Sequence, residues 1–232
     1  MRQRGKYDAS GLLEAQFEPG SRGKVLKNLR GITSKREMDV AEAQEQLRTL
    51  RELMKIFGVH HRFTAADVCS IHKLWLGDIY EWAGSFRQVN ISKGGFLFAA
   101  ANQIPHLIAE FEKRQLRKYT PCLFESHDEI AMALAVVHVE LVLIHPFREG
   151  NGRLARMVAV VMALQAGLPL LDFSGIRGKK KKEYFAAVQA GMDRNYEPMT
   201  RVFNDVIRKT LRTHERQRVS PAFSKACACS GP

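Results

Sequence analysis

Apolar residues recur along this chain mostly three and four apart, the spacing of one face of a helix. Ser34 followed by Glu37 has the pattern of a capping box and opens a long helix. Its stripe is Val40, Ala43, Leu47 and Leu50, and it ends near Gly58. Thr64 with Asp67 marks a second helix start, with Val68, Ile71, Leu74 and Trp75 as the buried stripe; Gly84 closes that region. The pattern then changes. Phe86, Val89 and Ile91 on one side and Phe96, Leu97 and Phe98 on the other flank Lys93-Gly94-Gly95, which predicts a β-hairpin within residues 85–99. A helix follows from about Gln103, with Pro105 tolerated in its first turn and Ile104, Leu107, Ile108 and Phe111 facing inward.

Ser126 and Glu129 form another capping-box pattern, ahead of a segment Ile130–Ile144 that is apolar nearly all round and so predicts a central buried helix. Pro146 disfavours helical geometry at His145. A polar, glycine-rich turn leads to a second apolar helix from about Arg153 to Ala166, stopped by Gly167 and Pro169. Two more helices are expected at about 180–190 and 198–216, with Pro198 in the first turn of the last. Residues before 24 are polar and glycine-rich, with Pro19-Gly20-Ser21 as a turn signal. The expected organisation is a mainly α body at 24–216, a loosely structured arm at 1–23 packed on it, and a flexible C-terminal tail at 217–232.

Composition narrows the partners. Of 232 residues, 45% are hydrophobic and 26% charged, as in an ordinary globular protein. No apolar run reaches the ~18 residues of a membrane span, and no apolar segment follows the charged N-terminus, so neither a membrane span nor a secretory signal is expected. The formal net charge of +12 favours anionic partners without choosing among them. Arg177, Lys179–Lys182 and the basic stretch from Arg201 onward supply part of it; a solvated helix start is the simpler reading of the lysines. The four cysteines, Cys69, Cys122, Cys227 and Cys229, form no Cys-x-x-Cys pair and no zinc-like arrangement, which suits a reducing cytoplasm.

The chemistry concentrates in His145-Pro146-Phe147-Arg148-Glu149-Gly150-Asn151-Gly152-Arg153-Leu154-Ala155-Arg156, a polar loop between two apolar helices. Gly150 and Gly152 allow torsions closed to other residues and close approach of a ligand to the backbone. The loop feeds a helix N-terminus, where free N–H groups and the dipole favour an anion. Arg153 and Arg156, three apart, add two guanidinium groups, which together describe a polyphosphate site. Glu149 suits a Mg²⁺ ion bridging phosphates, and His145 suits a general base near neutral pH. Phe147 is expected to plug into the core. Taken singly, these residues have ordinary readings: a helix cap, an i,i+4 ion pair between Glu149 and Arg153, a turn. His138 shares a face with His145 but has no third ligand, so it reads as a satisfied core histidine; His60, His61 and His72 read as surface or packing residues.

The stretch resembles the Fic family motif, His-x-Phe-x-(Asp/Glu)-Gly-Asn-Gly-Arg-x-x-Arg, at every defined position. The likeness extends over about residues 24–212. Ile79–Arg87 is similar to the family segment leading into a flap hairpin, Lys93-Gly94-Gly95-Phe96-Leu97-Phe98 to the flap, and Tyr184–Pro198 to its C-terminal helices. What the resemblance implies is a Fic-type helical bundle with a central two-helix motif and one short β-hairpin flap. It implies transfer of AMP from ATP to a Ser, Thr or Tyr hydroxyl of a target protein. His145 would take the hydroxyl proton, Glu149 would hold Mg²⁺, Gly150, Asn151 and Gly152 would cradle phosphate oxygens, and Arg153 and Arg156 would bind the β- and γ-phosphates. The flap, with Lys93, Gly94, Gly95 and Phe96, would pair with an extended target segment.

Two other functions stay open: transfer of a different phosphate-containing group on the same fold, and a non-catalytic, basic nucleic-acid-binding module. No zinc finger, RNA-binding aromatic motif or helix-turn-helix pattern speaks for the latter. Many Fic proteins carry an inhibitory (Ser/Thr)-x-x-x-Glu-(Gly/Asn) helix whose Glu meets the second arginine, here Arg156. Ser10–Glu14 and Thr33–Glu37 fit five positions, but Ala15 and Met38 break the pattern. The expectation is therefore a separate antitoxin-like chain, with this chain as the toxin half of a cytoplasmic bacterial pair; homodimers are common in the family.

Overall fold

Side-chain caps start three of the α-helices. The computed structural model describes residues 11–219. Helix α1 (Lys35–Ile56) begins at Ser34, whose hydroxyl accepts from the Glu37 N–H; the reciprocal half of the expected capping box is not formed. Helix α2 (Ala65–Leu76) and helix α5 (His127–Ile144) do have the full box, through Thr64 with Asp67 and Ser126 with Glu129. Between them, strands β1 (Ser92–Lys93) and β2 (Phe96–Leu97) pair antiparallel, with Ser92 opposite Leu97 and Lys93 opposite Phe96. Gly94 and Gly95 both have positive φ, 58° and 80°, which a two-residue hairpin turn of this hand requires. Helix α3 (Ile104–Phe111) continues through a π-helical turn (Glu112–Leu116) into α4 (Arg117–Tyr119).

The centre of the molecule is α5 against α6 (Asn151–Gln165), with α8 (Glu197–Val219) along the other side of α5 and α7 (Lys179–Ala190) beside α8. From Ile130 to Ile144 nearly every side chain of α5 is buried, as expected of a helix apolar all round. Helix α6 starts two residues earlier than its apolar pattern suggests, because Asn151 and Gly152 already form its first turn.

Of the stripe expected to bury α1, Leu50 packs against the core but Val40, Ala43 and Leu47 face outward. Val40 and Leu47 are about half exposed, and Met38, Ala41, Glu42, Thr49 and Leu53 face the core. Two polar side chains on the buried face break the apolar pattern that would have marked it. The described part of the arm is ordered: Leu13–Ala15 form a 3-10 turn, and an isolated bridge pairs Phe17 with Leu26 across the boundary expected at residue 24. Residues 1–10 and the tail residues 220–232, with Cys227 and Cys229, lie outside the described residues. Among the described residues no helix is long and apolar enough to cross a membrane.

Candidate active site

Helix α5 ends at Ile144, and His145 caps it in the left-handed conformation, φ 51° and ψ 58°, with its N–H still donating to the Leu141 carbonyl. A non-glycine residue in that region is strained and is held only by its surroundings. Here the surroundings are specific. The His145 carbonyl accepts from Arg87 Nε at 2.8 Å, and the imidazole stacks on Phe98 with ring centres 3.6 Å apart. Nδ1 lies 2.9 Å from the Val142 carbonyl, so Nδ1 carries the proton and donates; Nε2 is left as a lone-pair acceptor. Burial lowers the His145 pKa to about 4, which keeps the ring neutral at pH 7.

Phe147 is fully buried as expected, stacked on His72 at 3.9 Å. His72, a surface or packing residue on sequence grounds, is in fact part of the site. Gly84 N–H donates to its Nδ1 at 2.8 Å, so its Nε2 bears the hydrogen facing the Glu149 carbonyl at 3.1 Å. Burial lowers its pKa to about 4, and the neutral ring ties the loop to α2 and to the segment leading into the hairpin.

Gly150 is the N-cap of α6, with φ 84°; a Cβ there would lie 2.7 Å from the Trp75 ring. It offers no capping side chain; the Arg153 N–H bonds the Gly150 carbonyl at 3.0 Å, while the Asn151 and Gly152 N–H groups have no hydrogen-bond partner among the described residues, an arrangement suited to an anion. Gly152 is helical and makes no use of the glycine freedom expected of it. Asn151 also departs from expectation. It is buried, its Oδ1 accepts from the Phe147 N–H and its Nδ2 donates to the Phe147 carbonyl, so its amide braces the loop instead of facing a phosphate.

The two motif arginines do not form one matched pair. Arg153 donates to Glu42 at 2.6 Å and to Glu149 at 3.2 Å, with its guanidinium 4.8 Å from the Trp75 ring centre. The guanidinium of Arg156 sits between the Tyr184 and Phe173 rings, at 5.2 and 5.5 Å, and makes no ion pair among the described residues. Tyr184 is held in turn by His138 Nε2 at 2.7 Å; His138 lies in the core as expected, but it is not fully satisfied, since its Nδ1 has no hydrogen-bond partner among the described residues.

Glu149 Oε1 accepts from the Gly150 N–H at 2.9 Å and from Arg153. Burial alone would raise its pKa; the Gly150 N–H and Arg153 outweigh burial and hold the carboxyl below its usual range, so it is ionised. No group of three or more His, Cys, Asp or Glu among the described residues could hold a metal ion by itself. A lone ionised carboxylate still fits Mg²⁺, which keeps several waters and takes its other ligands from phosphates. A cleft of about 160 Å³ opens beside Glu149, lined by Lys24, Lys35, Glu42, Tyr80 and Arg148. A larger groove of about 510 Å³ lies between α7 and α8, at Lys180, Asp205 and Arg212, and holds none of the expected site residues.

The hairpin hangs from Arg87, which is 1% exposed. Besides the His145 carbonyl it donates to the carbonyls of Val89 and Ala99, at 2.7 and 2.6 Å, one at each root of the hairpin. Glu14, from the arm, accepts from the N–H groups of Gln88 and Val89 at 2.6 and 3.0 Å. At the tip Lys93, Gly94 and Gly95 are exposed and Phe96 packs edge-on against Phe98. Glu42, His72, Arg87 and Glu14 lie far from the loop in sequence, and no spacing signal joined them to it.

With this geometry in hand, the chain can be set beside known proteins. The model of the Fic/DOC family matches residues 62–163. Protein adenylyltransferase VbhT of Bartonella schoenbuchensis is 31% identical over 162 residues, 70% of this chain and 33% of that protein. This chain therefore spans about a third of the length of that curated relative. BepC of Bartonella tribocorum, solved with bound AMPPNP, superposes with a TM-score of 0.61 at 27% identity, over 78% of this chain and 91% of that one. The N-terminal Fic domain of a putative cell filamentation protein from Bartonella quintana, solved with bound ADP, gives 0.62 at 28%, over 78% and 89%.

Proposed function

Residues 62–163 form a Fic/DOC family domain, and from that premise we propose that the chain transfers AMP from ATP to a Ser, Thr or Tyr hydroxyl of a target protein, releasing pyrophosphate. The observation that carries the reading is His145: its Nδ1 is satisfied and its Nε2 is free to accept a proton, beside the uncapped start of α6. His145–Arg156 also fills each defined position of the family motif, and the similar solved structures named above hold AMPPNP and ADP.

In this reading Nε2 of His145 accepts the target hydroxyl proton as that oxygen bonds to the α-phosphorus, and the bond from phosphorus to the β-phosphate oxygen breaks. The backbone from Gly150 to Gly152 and the guanidinium groups of Arg153 and Arg156 meet phosphate oxygens. Glu149 would hold Mg²⁺, which when bound would supply charge neutralisation at the phosphates. The exposed tip Lys93–Phe96 docks the target by strand pairing, and Arg87 fixes that docking relative to His145. Inhibition comes from a separate antitoxin-like chain supplying a carboxylate to Arg156. In support, Glu14 is engaged by the hairpin root and Glu37 is exposed in the first turn of α1.

The test is incubation of the purified chain with Mg²⁺, a bacterial lysate and ATP labelled at either the α- or the γ-phosphate. Covalent label from the α-position alone is the expected result. His145→Ala should lower it by ~10²- to 10⁴-fold, the usual worth of a general base. Label from the γ-position would replace AMP transfer by phosphate transfer.

A further inference from the structure

The arm meets the hairpin through one side chain. Glu14 lies in the 3-10 turn Leu13–Ala15 and is 7% exposed. Its Oε1 accepts from the Gln88 N–H at 2.6 Å and from the Val89 N–H at 3.0 Å, at the first root of the hairpin. Its backbone carbonyl accepts from Arg148 Nε at 2.9 Å, in the loop before α6. The Arg87 N–H donates to the Pro146 carbonyl at 2.9 Å. Three successive N–H groups, those of Arg87, Gln88 and Val89, are thus committed to other elements, one to the loop and two to the arm. Together they fix the direction in which the chain leaves for the hairpin tip.

Charge points the same way. Burial lowers the pKa of Arg87 and the nearby Arg148 lowers it further, whereas Glu14 acts in the opposite sense. Glu14 is therefore a countercharge to the guanidinium from which both hairpin roots and the His145 carbonyl hang. The arm behind Glu14 is itself anchored. The Lys27 N–H donates to the Gln16 carbonyl and the Glu18 N–H to the Val25 carbonyl, while Glu18 Oε2 accepts from the Asn28 N–H and Nδ2. A carboxylate on a fixed stem, taking two backbone N–H groups, acts as a stop for the strand it meets. Among the described residues, none of its hydrogen bonds reaches Glu149, Arg153, Arg156 or the first turn of α6.

We propose that Glu14 is a positioning residue for acceptor docking: through this one carboxylate the arm sets the angle at which the hairpin stands beside His145, and so governs the target side of the reaction and leaves the nucleotide side alone. This rests on the AMP-transfer reading above and adds the arm to its machinery. Without the carboxylate, the Gln88 and Val89 N–H groups turn to water and the hairpin is free to tilt about Arg87.

The experiment compares the full parent chain with Glu14→Ala, which removes the acceptor and the charge, and with Glu14→Gln, which keeps an acceptor oxygen and decides the case if Glu14→Ala loses its fold. Hydrogen exchange is read amide by amide. Protection of Gln88 and Val89 should fall about 10- to 100-fold in Glu14→Ala, the worth of bonds to a charged group, with the amides of α5 unchanged. Transfer is read with α-labelled ATP, Mg²⁺ and a bacterial lysate at graded concentration. The lysate concentration that half-saturates labelling of a given band should rise roughly tenfold or more in Glu14→Ala, and by less in Glu14→Gln. Calorimetric ATP affinity should stay within about twofold of the parent in both. Lost protection with an unchanged half-saturating lysate concentration would make Glu14 a structural tie only and overturn the proposal. So would a loss of ATP affinity as large as the loss on the lysate side. A parent chain that labels no lysate protein would overturn the transfer reading and this role with it, whatever the exchange shows.

Discussion

The two nitrogens of His145 are in different circumstances, and that difference fixes a pH dependence. Nδ1–H is committed to the Val142 carbonyl, and burial holds the ring's pKa at about 4, against an ordinary 6.5. A base works only when unprotonated, so its fraction is full above about pH 5 and falls as pH drops through 4. The acid limb of kcat/KM for transfer should therefore lie well below pH 6, measured from initial rates at pH values where circular dichroism shows the chain folded. A limb near 6.5 would mean that His145 is as solvated as a free imidazole. At this scale the sequence was partly legible. The loop residues stand next to one another, and a histidine before proline at a helix end can be read directly. His72, Arg87 and Glu42 could not be found that way. Their function lies in a bond to a backbone carbonyl, or to a side chain more than fifty residues away, and no local pattern encodes such a bond.

Among the elements, the start of α6 is the most demanding. Gly150 has φ 84°, and a Cβ would press into Trp75 at 2.7 Å; Gly152, the second residue of the helix, has nothing within 4 Å. Gly150→Ala should cost about 2–4 kcal/mol, from left-handed strain plus overpacking. Gly152→Ala should cost nothing or stabilise slightly, since alanine is the better helix former. Urea unfolding of the two variants checks this, and equal effects would remove Trp75 as the constraint. Helices α5 and α6 were legible because their apolar residues run on almost unbroken. For α1 the pattern named the wrong face: Glu42 and Thr49 sit among its buried residues, while Val40 and Leu47 look outward. The sequence of a helix that buries an ion pair cannot show which side is the core, because the deciding charge partner, Arg153, lies on another element.

Across the whole molecule, three histidines with lowered pKa, two of them fully buried, should set the acid limit of stability. Burial lowers His72 and His145 to about 4 and His138 to about 3. Below 6.5 the unfolded chain binds protons at these rings that the native chain does not. Stability is thus fully present above pH 6.5 and lost as pH falls toward 4, by about 1.4 kcal/mol per pH unit for each ring while the difference persists. The urea midpoint should drop between pH 7 and pH 5, and His138→Phe should lessen the slope. A midpoint flat over that range would mean that these rings are protonated in the native state. The fold class was open to reading at this scale because five of the helices carry their own start signals. The ordered arm was not, since what fixes it is Glu14 on the backbone of a distant hairpin. That hairpin is held chiefly at its roots: one guanidinium, Arg87, holds both ends together with the carbonyl of His145, while at the tip Lys93 Nζ lies 6.0 Å from the Phe185 ring centre. Such an attachment makes the six residues Ser92–Leu97 an interchangeable cartridge. If the proposed docking on this tip holds, their sequence can be rewritten for a different target while the stem, and the imidazole hung from the same peg, stay where they are.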